Sequence, residues 1–256
     1  MPGRLDGKVT IVTGGNSGIG EATSHLFAKE GAQVILMARR EEQGIEVQNS
    51  IRAVGGEATF IQCDVADVDS VERAVAQAAG TYDSVDILFN NAGHGSGGDF
   101  PESSTEEWNN VINVNLNGTF YVSRAVWPHI VSSGGGAVVN MSSLAAQRGF
   151  SPRMHDEFGT ASPSYYAAKA GVEALTRYMA GIGGKHNIRV NCVRPGQILT
   201  HGEHHIFESM FNLAQIIPGP GYPIDVGNLV LFLVSEDSRF ITGEIINIDG
   251  GVAAKI

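Results

Sequence analysis

Long apolar runs are missing from this chain. No stretch approaches the roughly 18 residues that a bilayer span requires, so a membrane span is not expected. Cysteine is scarce: Cys63 and Cys192 are the only two in 256 residues, and both fall in apolar strand patterns. Buried free thiols are therefore expected rather than a disulfide, which suits a reducing compartment and a cytoplasmic protein. No Pro- or Ser-rich stretch marks a linker, and no repeat or low-complexity tract is visible, so residues 1–256 read as one domain with a sizeable core. Positive charge is in deficit, with 17 Lys and Arg against 27 Asp and Glu and a net charge of −10. That balance argues against nucleic acid and anionic membranes as partners, while leaving room for local basicity at a cofactor phosphate. The opening Met1-Pro2-Gly3-Arg4-Leu5-Asp6 does not read as a secretory signal.

What is present is a regular alternation. Short β-rich runs at 9–13, 33–37, 58–63, 85–90, 137–142, 188–193 and 245–249 are separated by segments of helical periodicity. Runs such as Ile87-Leu88-Phe89 and Ala137-Val138-Val139 are continuously apolar, which suits strands covered on both faces. The expected architecture is a single-domain Rossmann-type α/β fold, a doubly wound sheet of seven parallel strands. Ligands of such sheets bind beyond the carboxyl ends of the strands, where Gly14, Asn91, Ser143, Pro195 and Gly196 all fall.

Two local patterns carry chemistry. The first strand runs into Gly14-Gly15-Asn16-Ser17-Gly18-Ile19-Gly20 and then a helix that stops at Gly31, giving a βαβ unit of about thirty residues. Glycines there allow a tight turn and close approach of the backbone to a pyrophosphate, whose charge the N–H groups of the helix start receive. The second pattern is Tyr165-x-x-x-Lys169 at the opening of a helix. Spacing i, i+4 puts phenol and ammonium on one face, where the lysine is expected to pull the phenol below its usual value of about 10 and ready it for proton transfer. Tyr166, about 100° further round the helix, is expected in packing.

In order along the chain stand Thr13 to Gly20; Cys63-Asp64-Val65; Asn90-Asn91-Ala92-Gly93; Asn113-Val114-Asn115-Leu116-Asn117-Gly118; Asn140-Met141-Ser142-Ser143; the Tyr165/Lys169 helix; Arg189 to Gly196; and Thr242-Gly243 to Gly251. With these motifs the sequence resembles the short-chain dehydrogenase/reductases over nearly its whole length. The resemblance implies an NAD(P)(H)-dependent oxidoreductase that interconverts a secondary alcohol and a ketone. It assigns Tyr165 as general acid/base, Ser143 rather than Ser142 as donor to the substrate oxygen, Asn115 as holder of a kinked helix and a relay water, and Lys169 as ribose-binding partner of the tyrosine. The cofactor-binding set it implies is Gly14, Asn16, Ser17, Gly18, Ile19, Gly20, Arg39, Asp64, Val65, Asn91, Ala92, Gly93, Tyr165, Lys169, Pro195, Gly196 and Ile198. No metal is required. Homotetramers or homodimers are usual, through helices corresponding to 106–130 and 164–180. Val122, Val126, Leu175 and Met179 on those helices read as surplus apolar positions available for pairing.

Three features modify the inference. Ser143 and Tyr165 lie farther apart than is usual in the family, so an insertion near 150–162, with His155, Asp156 and Glu157, is expected beside the substrate pocket. Residues 197–222 resemble a substrate lid; Ile206, Met210, Phe211, Leu213, Ile216 and Ile217 give it an apolar stripe, and His201, His204 and His205 its polar face. At the end of the second strand Ala38 stands where an NAD site offers an acid, and Arg39 follows, so NADP(H) is favoured over NAD(H) as the alternative. Two further readings are a non-catalytic dinucleotide-binding relative, which would not need Asn115, Ser143, Tyr165 and Lys169 together, and an enoyl reductase, whose tyrosine and lysine stand farther apart.

Overall fold

The computed structural model describes residues 2–82, 84–95, 98–149, 161–200 and 215–253. Seven strands form one parallel sheet: β1 (Val9–Thr13), β2 (Gln33–Ala38), β3 (Glu57–Gln62), β4 (Ile87–Asn90), β5 (Gly136–Met141), β6 (Ile188–Pro195) and β7 (Ile245–Ile248). Their order across the sheet is β3-β2-β1-β4-β5-β6-β7, so the winding reverses between β1 and β4 and opens a crevice at their carboxyl ends. The expected strands all form. β6 runs two residues past its expected end, because Arg194 and Pro195 pair with Asn247 and Ile248 of β7.

Helices cover both faces: α1 (Gly18–Lys29), α2 (Glu41–Ala53), α3 (Val68–Thr81), α4 (Thr105–Ile112), α5 (Gly118–Ser132), α6 (Pro163–Gly183) and α7 (Pro223–Val234). Alternation along the strands divides the core in two. Val34 and Leu36 of β2 pack with Phe27 of α1, Ile51 of α2 and Val230 of α7. Ile35 and Met37 face the opposite layer, with Val75 of α3, Val122 and Val126 of α5 and Met179 of α6. Burying both faces explains the unbroken apolar strands. It also corrects the expectation that Val122, Val126, Leu175 and Met179 are surplus. The first, second and fourth are buried within the chain and the partly buried Leu175 packs against the same core, so these positions serve the chain's own sheet.

Two local devices set up the crevice. The turn after β1 needs left-handed backbone at Gly14 (φ +63°) and Gly18 (φ +55°), which glycine adopts without steric cost. Between α4 and α5 the helix widens into one π-helical turn, Asn113–Asn117. Such turns recur at functional sites because they re-aim one side chain inward, and the one aimed here is Asn115. Gly118 then lets the start of α5 close onto Val65, since an added Cβ would lie 2.9 Å from that side chain's Cγ2.

Candidate active site

A cleft of about 500 Å³ lies beyond the carboxyl ends of β1, β4, β5 and β6. Its walls gather most of the expected cofactor set: Gly14, Asn16, Ser17, Gly18 and Ile19 from the glycine turn, Arg39, Asp64 and Val65, Asn91 to Gly93, and Pro195, Gly196 and Ile198. Ser143, Tyr165 and Lys169 line the same cleft. Gly20 and Asn115 do not. Gly20 is buried behind the turn, where a Cβ would collide with the Gly14 carbonyl. Asn115 is fully buried at the cleft's back, not solvent-facing.

The cleft fits a dinucleotide. The glycine turn brings the start of α1 to the cleft wall, and Ser17, its N-cap, makes no side-chain cap, so the first N–H groups of the helix are left for an anion. Asn91 fixes that turn by donating from Nδ2 to the carbonyls of Thr13 (3.0 Å) and Gly14 (3.3 Å). At the β2 end of the cleft the Arg40 guanidinium reaches back to the Ser17 hydroxyl at 3.1 Å, placing a second cation at the glycine turn beside Arg39. Arg40, His94 and Thr200 also line the cleft and were missing from the sequence-derived set. His94 follows Asn90-Asn91-Ala92-Gly93 directly, and that adjacency was the available signal; Thr200 offered none. Burial, and then the charges of Arg39 and Lys169, push the His94 imidazole below its usual range.

At the other end of the cleft three side chains meet. Ser143 caps a 3₁₀ turn, Leu144–Ala146, its hydroxyl accepting from the Ala145 N–H at 3.3 Å, and it stands beside the Tyr165 phenol, whose acidity it raises. Lys169, one helical turn after Tyr165, is 2% exposed; its ammonium donates to the Met141 carbonyl at 2.9 Å and stands 5.5 Å from the Tyr165 ring centre. Desolvation brings that lysine down to about 8. Burial also raises the Tyr165 phenol above its ordinary 10, a rise that the neighbouring Ser143 hydroxyl opposes. This reverses the sign expected from helical spacing, because desolvation of the phenol is the dominant cause. Asn115 donates from Nδ2 to the carbonyls of His94 (2.8 Å) and Val111 (3.0 Å), leaving Oδ1 buried without a partner. Only Gly93 separates that acceptor from the lysine. A Cβ on Gly93 would lie 2.5 Å from Asn115 Oδ1 and 3.2 Å from Lys169 Nζ.

Behind this group lies a buried ion pair. Arg194, in the last turn of β6 before Pro195, binds Glu173 through two parallel bonds, Nε to Oε1 at 2.7 Å and Nη2 to Oε2 at 2.6 Å. Its third nitrogen donates to Gln147 (2.7 Å) and Asn247 (2.8 Å). Glu173 also accepts from the Ser142 hydroxyl at 2.7 Å, which ties Ser142 into the core and turns it away from the role of Ser143. One carboxylate thus joins β5, β6 and α6 directly beneath Lys169.

Of the expected lid, Ile198 bridges Gly221, and Leu199 donates to the Gly221 carbonyl at 2.9 Å, so its two ends are pinned together. Ile216 and Ile217 are exposed. His201, His204, His205, Ile206, Met210, Phe211 and Leu213 lie outside the described residues, as do His155, Asp156 and Glu157. Among the described residues no group of three or more His, Cys, Asp and Glu could hold a metal, and no helix is long and apolar enough to cross a membrane.

Comparison with known proteins places this geometry in context. The sequence model of the family described as enoyl-(acyl carrier protein) reductase matches residues 14–253. The chain is similar to the 2,5-dichloro-2,5-cyclohexadiene-1,4-diol dehydrogenase of Sphingobium indicum, 38% identical over 98% of both chains. It is 36% identical to the 3-oxoacyl-(acyl-carrier-protein) reductase of Thermotoga maritima, covering 97% of this chain and 99% of the other. Among solved structures, a short-chain type dehydrogenase/reductase from Mycobacterium marinum superposes with a TM-score of 0.89 at 30% identity, over 98% of this chain and 97% of that one.

The buried pair yields a stability test. Glu173→Ala strands the Arg194 charge in the interior and is expected to cost about 3–5 kcal/mol in urea unfolding. The double replacement E173M/R194M should recover much of that loss. A single variant within about 1 kcal/mol of wild type would show that the pair does not hold the three elements together.

Proposed function

The chain belongs to the short-chain dehydrogenase/reductase family, and from that premise we propose that it interconverts a secondary alcohol and a ketone with Tyr165 as general acid/base and NADP(H) as the favoured cofactor. At the coarser level it is an NAD(P)-dependent oxidoreductase acting on alcohol and carbonyl groups. The observation that carries the finer reading is that Ser143 and Tyr165 line one cleft together with Lys169, a buried lysine one helical turn from the tyrosine.

In the reductive direction a nicotinamide bound in this cleft would supply the hydride. Tyr165, which burial keeps protonated, gives its phenolic proton to the substrate oxygen. Ser143 donates to the same oxygen as charge develops on it. Lys169 steadies the phenolate left behind, and its ammonium has hydrogens to spare for ribose hydroxyls beyond the one given to Met141. Asn115 positions this group through the His94 carbonyl and offers Oδ1 to a proton relay. Arg39 with Arg40 supports NADP: two guanidiniums flank the place where Ala38 supplies no acid.

The competing chemistry is enoyl reduction, named by the matching sequence model. A tyrosine and lysine one helical turn apart favour carbonyl reduction, and parallel assays with 3-oxoacyl and enoyl thioesters separate the two. The names of the two relatives carry a cyclic diol and a 3-oxoacyl group, so the substrate range to survey spans alicyclic alcohols and 3-oxo thioesters. A binding-only role is disfavoured by the four polar groups assembled around one cleft.

Tyr165→Phe is expected to lower kcat by roughly 10²–10⁴-fold with dinucleotide affinity nearly unchanged, and Ser143→Ala to fall similarly, while Tyr166→Phe stays near wild type. Near-normal turnover by Tyr165→Phe would refute the assignment. Arg39→Ala should weaken NADP by about 1.5–3 kcal/mol and leave NAD almost untouched, as read by titration of both dinucleotides; tighter NAD binding by the wild type would overturn the cofactor preference. Assembly into a homodimer or homotetramer also belongs to the reading, with the exposed rings of Phe120 on α5 and Tyr178 on α6 as apolar surface for it. Light scattering should give a multiple of the 27.1 kDa chain mass, and a monomer at micromolar concentration would contradict it.

A further inference from the structure

A second pocket, of about 450 Å³, adjoins the dinucleotide cleft and shares two of its walls, Arg39 and Asp64. Its remaining lining comes from the end of β3 and from α3 and is polar apart from Ala74: Gln62, Ser70, Arg73 and Gln77. Most of these groups are engaged with one another. Gln62 donates to the Arg39 carbonyl at 3.0 Å, Ser70 accepts from the Asp64 N–H at 3.0 Å, and the Asp64 carboxylate accepts from the Ala66 N–H at 3.0 Å. The two guanidiniums are not. Among the described residues neither Arg39 nor Arg73 has a side-chain hydrogen bond or an ion pair. The carboxylate next to Arg73 in sequence, Glu72, is taken by Arg124 at 3.4 Å. Asp67, at the start of the same helix, is spent capping it.

In a chain of net charge −10, two unpaired arginines on one pocket wall, against a single carboxylate, leave a local positive field. Guanidinium forks match the oxygens of a phosphate in planar, paired fashion, and a dianionic phosphomonoester is the group two of them suit best. The pocket opens from the cleft at Arg39, the residue that follows β2, and at Asp64, just past the end of β3. These are the strand ends that face the adenosine half of a dinucleotide.

We propose that Arg73 of α3 is a specificity-determining residue that closes, with Arg39, on the 2′-phosphate of the adenosine ribose. This rests on the NADP reading above and extends it to a helix outside the β2 end and the glycine turn. Arg73 is exposed, on the face of α3 opposite its buried Val71, Ala74 and Ala78, so it can be replaced without disturbing the core.

The test uses the full chain and four probes: NADP, NAD, 2′,5′-ADP and 5′-AMP, titrated against wild type, Arg73→Ala and Arg73→Lys. Wild type is expected to bind 2′,5′-ADP more tightly than 5′-AMP. Arg73→Ala should weaken 2′,5′-ADP and NADP by about five- to tenfold, leave 5′-AMP and NAD within about twofold, and flatten the salt dependence of NADP binding. Arg73→Lys, which keeps the charge but loses the fork, should fall between. If wild type binds 5′-AMP as tightly as 2′,5′-ADP, the NADP reading itself fails. If wild type prefers 2′,5′-ADP and Arg73→Ala leaves that preference intact, or weakens both nucleotides equally, the NADP reading stands and the role of Arg73 is overturned. Thermal unfolding of Arg73→Ala should match wild type, separating lost binding from lost fold.

Discussion

Everything at the catalytic end of the cleft depends on keeping one lysine charged enough to work while hiding it from water. Lys169 is buried, and among the described residues its ammonium donates to the Met141 carbonyl at the end of β5. That bond requires β5 to end where it does and α6 to cross it in one register. Three supports maintain the crossing. The π-turn aims Asn115 inward, Gly93 leaves room for Asn115 and the ammonium to lie on either side of it, and the Glu173–Arg194 pair clamps α6 to β5 and β6 from below. Desolvation costs the ammonium part of its proton affinity, and the same burial raises the Tyr165 phenol. The two shifts move the pair apart in acidity: the ammonium falls from 10.5 to about 8 while the phenol rises above 10, so in the free protein the lysine is the stronger acid and the phenol keeps its proton.

The charge of the molecule is arranged along the cleft rather than spread over it. A chain with a net charge of −10 puts Arg39, Arg40 and Arg73 near the β2 and β3 ends of the cleft and Lys169 at its opposite end, beside Ser143 and Tyr165. The glycine turn between them contributes the exposed N–H groups of a helix start. On the proposed reading, an anionic dinucleotide would meet cationic groups at both ends of the cleft and helix N–H groups between them.

The sheet was legible in the sequence because both of its faces are buried. Runs such as Val34-Ile35-Leu36-Met37 have no polar member, and nothing but a covered strand accounts for them. The glycine turn and the Tyr165/Lys169 spacing were legible because they are local. What depended on the third dimension was not. Helical spacing places the lysine near the tyrosine but says nothing about how much water either loses, so the direction of the tyrosine shift came out reversed. Val122, Val126 and Met179 read as surplus because the sequence does not reveal that the second face of the sheet needs them. Arg40 reaching Ser17, and Arg73 sharing a pocket with Arg39, join residues more than twenty positions apart and carry no short-range signature.

The claim that burial tunes Lys169 is tested most directly by titrating that one side chain. Carbon-13 labelling at lysine Cε, with Lys169→Met used to assign the resonance, would follow its protonation by NMR in the free protein. The account gives a midpoint at about 8, well below the ordinary 10.5 of a lysine. A midpoint near the ordinary 10.5 would contradict it, by showing that the ammonium is solvated and that the arrangement around Asn115, Gly93 and Met141 does not act on its charge.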